Sequence, residues 1–212
     1  MNPTTPELPD ETCAYVLRKK TRQRPRYGQC SPLYMEKVKK WKHHFRDIVH
    51  KVFMNADTVS VPINFAPMSQ YLNGFLFEYY PFNPTEHGLN IDGMYDIVDE
   101  GTIRIFVAND VPRERQRFTI AHEFAHILQR FDGEFMADME AIADPVERQN
   151  IIERVAEITA SYYLAPYPVL KRAYARAIEH DDRWVIRSLA TEFAVSVKMM
   201  EICVSDYSLQ KQ

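Results

Sequence analysis

His122, Glu123 and His126 are the residues of this chain whose types and spacing best suit chemistry. They stand in the order H-E-x-x-H inside the run 117–128. In a helix, residues four apart project from one face, one turn above the other. Two imidazoles so placed reach a single tetrahedral Zn2+ at about 2.0–2.1 Å. Glu123 points off that face, so its carboxylate addresses a water beside the metal rather than the metal itself. Two ligands and a general base on one helix offer metal-assisted hydrolysis.

A short pattern recurs by chance, so its surroundings have to support it. Phe118, Ala121, Ala125 and Leu128 make one apolar stripe, and Ile120, Phe124, Ile127 and Phe131 make another. A helix apolar on both sides is a buried helix. Asn109 and Asp110 precede Pro112 at its start, and Asp132-Gly133 predicts its stop. Two histidines satisfied by ordinary hydrogen bonds in a core are the alternative. A buried His-Glu-His cluster without a metal, however, strands polar groups.

A third ligand is required. The longer pattern H-E-x-x-H-x-x-G-x-x-H fails, because Gln129 stands at the glycine position and Asp132 at that of the third histidine. A glutamate from a later helix is the remaining route to a His2Glu site. Residues 144–165 predict that helix: Asp144 as N-cap, Pro145 in the first turn, Glu147 completing a capping box, and Ala165-Pro166 ending the run. Glu153 and Glu157 lie four apart on it, a like-charge pair that a nearby cation relieves. Glu153 is read as the ligand. Glu157 is read as the partner that fixes a ligand histidine's tautomer, and is the alternative for the ligand itself.

These residues resemble the ImmA/IrrE metallopeptidases over 60–207. The stretch Gln116-Arg117-Phe118-Thr119-Ile120-Ala121-His122-Glu123-Phe124-Ala125-His126 is similar to that family's R-F-T-x-A-H-E-x-x-H signature. Glu153-Arg154-Val155-Ala156-Glu157, then Ala160 and Tyr163-Leu164-Ala165-Pro166, resembles its second signature, with Glu157 where Asn or Asp is usual. That register places the family's metal-binding glutamate on Glu153. Residues 189–196 look like the family's L-A-x-x-F-x-V-S run.

The resemblance implies an α+β, zincin-like fold, with a small, mainly antiparallel sheet packed on a helical body that carries the H-E-x-x-H helix. It implies one Zn2+ per chain, and a metalloendopeptidase whose substrate is a helix-turn-helix repressor, so that cleavage derepresses phage, mobile-element or stress genes. It also assigns the strand through Ile103, Ile105 and Val107 to pairing with extended substrate. Tyr162, Tyr163 and His180 are candidates for a second oxyanion donor. The rival expectations are a non-enzymatic, zinc-containing regulator that binds a repressor or DNA, and a toxin–antitoxin component.

Around these residues the pattern predicts a helix from Pro32 to near Asn55, a short helix over 65–73, and strands over 75–80, 90–98 and 102–108. His43, His44 and His50 on the first helix read as surface residues. The 186–204 segment predicts a helix-turn-helix-like pair, with Ala194 at the turn and Ser196 capping the second helix. Lys198 is the only basic residue of that second helix, opposed by Glu201 and Asp206, so packing on the core is favoured over direct DNA binding.

At 212 residues and a net charge of −3, the composition suits one domain, taken as 31–212, behind a flexible arm over 1–30 rich in Pro, Lys and Arg. Three cysteines without framework spacing, and no run of membrane length, read as a cytoplasmic protein without membrane contact.

Overall fold

The computed structural model describes residues 30–53, 59–72, 75–83, 91–99, 101–180 and 182–209. The expected arm over 1–30 lies outside these residues except for Cys30. The elements run α1 (Pro32–Val52), α2 (Ala66–Tyr71), β1 (Leu76–Phe82), β2 (Gly93–Asp99), β3 (Thr102–Ala108), α3 (Arg113–Phe131), α4 (Gly133–Glu140), α5 (Pro145–Leu164), α6 (Tyr167–Glu179), α7 (Val185–Phe193) and α8 (Val197–Asp206). A helical body with one small sheet makes the fold α+β.

Three helices form the centre, with α5 packed against both α3 and α1. Helix α1 starts at Ser31, whose hydroxyl accepts from Tyr34 N at 3.0 Å. It buries Trp41, Phe45 and Val49, four residues apart along one stripe. Helix α3 is buried over most of its circumference, from Thr119 to Gln129, as its double stripe predicts. Helix α5 begins as expected: the Asp144 side chain accepts from Val146 N at 2.8 Å and Glu147 N at 3.4 Å. The Glu147 carboxylate also accepts a hydrogen bond from the Ser31 hydroxyl, joining the first turns of α5 and α1.

The stop predicted at Asp132-Gly133 is also a start. Asp132 closes α3 and caps α4, accepting from Phe135 N at 2.9 Å. Helix α4 then docks on α1 through Asp138, which accepts from Lys37 Nζ at 2.6 Å, Lys40 Nζ at 3.2 Å and Trp41 Nε1 at 2.7 Å.

The sheet is expected to be mainly antiparallel, and one of its two pairings is parallel instead. Its order is β1-β3-β2, with β1 parallel and β2 antiparallel to β3, so it is mixed. The most apolar strand takes the middle. Ile103, Ile105 and Val107 face the main core, while Phe106 and Ala108 face a smaller cluster with Phe82, Ile91 and Met94. A meander would instead have centred β2, which carries the partly exposed Asp96.

Near the C-terminus α7 and α8 follow one another across a short turn. Ala194 sits at φ 50°, ψ 53° between α7 and α8, and Ser196 accepts from Met199 N at 3.1 Å. Met199, Met200, Cys203 and Val204 are buried, and α8 packs on α5. Lys198 is exposed and paired with Glu201 at 3.1 Å. Among the described residues no helix is long and apolar enough to cross a membrane.

Candidate metal centre

The helical period puts His122 and His126 on one face of α3, their ring centroids 4.5 Å apart and their planes at 88°. Their Nε2 atoms lie 3.0 Å apart. The packing of α5 on α3 brings Glu153 to both: its Oε2 is 3.3 Å from His122 Nε2 and 3.7 Å from His126 Nε2. Among the described residues these three form the one cluster with metal-ligating donors close together, all within 4.8 Å. Exposure falls across the site, from 28% for the Glu153 side chain to 13% for His122 and 1% for His126.

Donors on a tetrahedron at about 2.0–2.1 Å from its centre stand about 3.3 Å from one another. The three separations, 3.0, 3.3 and 3.7 Å, bracket that value. The outer groups are held so that the inner atoms converge. Glu153 Oε1 accepts from Gln149 Nε2 at 2.9 Å, leaving Oε2 to the histidines. His126 Nδ1 meets Gln129 Oε1 at 2.8 Å. His122 stacks on Phe118 at 6.2 Å between centroids, and its buried Nδ1 has no hydrogen-bond partner among the described residues. Two imidazole nitrogens and a carboxylate turned on one point are a borderline donor set that suits a divalent cation.

Glu123 is 6% exposed, on the flank of α3 toward β2. The close approach there depends on Gly93. A Cβ at that position would lie 2.2 Å from Thr119 Cγ2, 2.9 Å from Phe106 O and 3.8 Å from Glu123 Cγ.

Other expected site residues lie elsewhere. Glu157 pairs with Arg154 at 3.2 Å on its own helix, and the side chain on His126 Nδ1 is Gln129. Tyr162 and Tyr163 come nine and ten residues after Glu153 on α5, about 14 Å along the axis. Tyr163 donates to Asn64 O at 2.8 Å, and Tyr162 stacks on Tyr207. Burial pushes both phenols well above their usual range. His180 is the exposed C-cap residue of α6. The partners of Tyr162 and Tyr163 thus lie away from Glu153.

The structure corrects the expected substrate role of the strand. Residues Ile103, Ile105 and Val107 belong to β3, which is hydrogen-bonded along both edges and has no free edge for another strand. The spacing of Gln129 three residues after His126, and of Gln149 four before Glu153, was a signal for both amides, since such neighbours share a helix face. No comparable signal marked Gly93, whose contacts all come from other elements.

Comparison with known proteins bears on the family of this chain. Radiation response metalloprotease IrrE of Deinococcus radiodurans is 30% identical over 73 residues, 34% of this chain and 22% of that protein. The solved structure of a Mycobacterium tuberculosis transcriptional regulator matches with a TM-score of 0.53 and 15% identity, over 80% of this chain and 50% of that one, a likeness of fold. The chain therefore spans well under two thirds of either protein. The IrrE N-terminal-like domain family, Peptidase_M78, matches residues 85–205, which include β2, β3, the histidines of α3 and the glutamates of α5, and the chain belongs to that family.

Proposed function

We propose that this chain is a zinc-dependent endopeptidase. The observation that carries the reading is the convergence of His122, His126 and Glu153 beside Glu123. The two Nε2 atoms and Glu153 Oε2 would hold one Zn2+, which when bound supplies Lewis acidity toward water and the scissile carbonyl. Glu123 takes the proton of the attacking water and delivers it to the departing amine nitrogen. Its burial keeps bulk water from competing for that carboxylate. Burial also keeps the His126 ring fixed relative to Glu123, one turn away on the same helix.

The peptide lies along β2 in this reading. Gly93 opens that strand next to Glu123, and among the described residues no strand pairs with the edge of β2 away from β3. The family's resemblance and the metalloprotease relative support peptide hydrolysis. The proposed substrate is a helix-turn-helix repressor, with derepression as the outcome, and the proposed setting is the cytoplasm.

The test is incubation of the zinc-loaded chain with a candidate helix-turn-helix repressor, sought in the neighbouring reading frame, against the Glu123→Gln variant. The amide keeps the size of the side chain but cannot take the proton. The wild type is expected to yield two fragments and Glu123→Gln none, with equal metal content. Derepression in cells by Glu123→Gln would favour regulation by binding instead.

A further inference from the structure

Gln129 is 2% exposed, and a buried amide is costly unless both its ends are bonded. Here both are. Gln129 Nε2 donates to Ile152 O at 3.0 Å. A backbone carbonyl only accepts, so this bond decides which end of the amide faces α5. Oε1 is then the end that meets His126 Nδ1, at 2.8 Å. An amide oxygen also only accepts, so the proton of the neutral His126 ring sits on Nδ1. Its Nε2 is left with a lone pair, and that nitrogen faces His122 Nε2 and Glu153 Oε2.

The carbonyl at the start of this chain of bonds belongs to Ile152, the residue before Glu153. One side chain therefore joins a donor on α3 to the turn of α5 that carries another. An apolar residue of similar size would fill the space but leave Ile152 O and His126 Nδ1 without these bonds.

We propose that Gln129 is a positioning residue of the metal centre: it holds His126 in the Nδ1–H tautomer and ties that ring to the turn bearing Glu153. The inference rests on the metal-centre reading above. Two variants separate its parts. Gln129→Leu removes both bonds. Gln129→Glu keeps an acceptor for His126 Nδ1–H and loses the donor to Ile152 O.

Zn2+ affinity is measured by competition with a chromophoric chelator, together with the visible spectrum of the Co2+-loaded protein. Gln129→Leu is expected to weaken Zn2+ binding roughly 10–100-fold and to shift the Co2+ bands, while Gln129→Glu, which keeps only the bond to His126, is expected to weaken it by less than Gln129→Leu. Wild-type affinity in Gln129→Leu overturns the proposal. So does equal weakening in both variants with an unmoved Co2+ spectrum, which would make Gln129 a plain strut between helices. If Gln129→Leu does not fold, the imidazole 1H–15N spectrum of the zinc-loaded wild type decides. A proton on His126 Nδ1 is expected, and a proton on Nε2 sinks the proposal. A wild-type chain that binds no Zn2+ at all would instead remove the metal centre, and this inference with it.

Discussion

Glu153 and Glu157 differ by one helical turn, and the partners of each separate their roles. Glu153 turns one oxygen to both histidines and the other to Gln149, whereas Glu157 pairs with Arg154. Glu153→Ala is therefore expected to lose the metal, as are His122→Ala and His126→Ala, because two remaining donors hold Zn2+ poorly. Glu157→Ala is expected to keep close to one equivalent. Elemental analysis of protein purified without added metal checks this, and retention in Glu153→Ala with loss in Glu157→Ala would exchange the two assignments.

Element contacts carry their own consequences. Strand β2 reaches α3 because Gly93 has no side chain, so Gly93→Ala sets a methyl against Thr119 and the Phe106 carbonyl. A cost of about 1–3 kcal/mol is expected in denaturant unfolding, along with lost peptidase activity as β2 and Thr119 shift beside Glu123. Adding Thr119→Ser removes the nearer obstacle and should restore part of both, so purely additive effects would count against the contact. At the other end of the chain, Ala194 occupies the left-handed region between α7 and α8. Glycine adopts that conformation without the Cβ clash, so Ala194→Gly should stabilise the protein by roughly 0.5–1 kcal/mol, despite glycine's greater freedom when unfolded. Unchanged or lower stability in a urea titration would contradict it.

For the whole molecule, the tie between α1 and α4 sets an acid limit. Burial works against the Asp138 carboxylate, but hydrogen bonds from Lys37, Trp41 and Lys40 outweigh it and hold the group down to about 2, against an ordinary 3.8. Because the folded value is the lower one, this stabilisation is complete above about pH 4 and disappears as pH falls through about 2. With the side chain 17% exposed, and allowing for solvent screening, Asp138→Asn should cost about 1–2 kcal/mol at pH 7. The gap between variant and wild type should close in unfolding curves recorded toward pH 2, and a gap constant over that range would exclude the ion pairs as its source.

Several features were legible in the residues alone because the information lies within one element. The pairing of His122 with His126 follows from the helical period. The caps at Asp144 and Ser196 follow from a side chain reaching its own first turn, and the extent of β3 from an apolar run between turns. The choice between Glu153 and Glu157 as neighbour of the histidines depended on the rotation of α5 against α3, although the motif register pointed to the same residue. Pairing preferences said nothing of which strand would be central, and the resemblance put the substrate role on β3, whose edges are both taken. Gln129 was visible as a neighbour of His126, but its second partner is a backbone carbonyl, which carries no residue-specific signal. Local sequence determines the face a side chain takes on its own helix or strand. Which faces meet is decided by burial summed over the whole chain, and that sum exists only in the folded molecule.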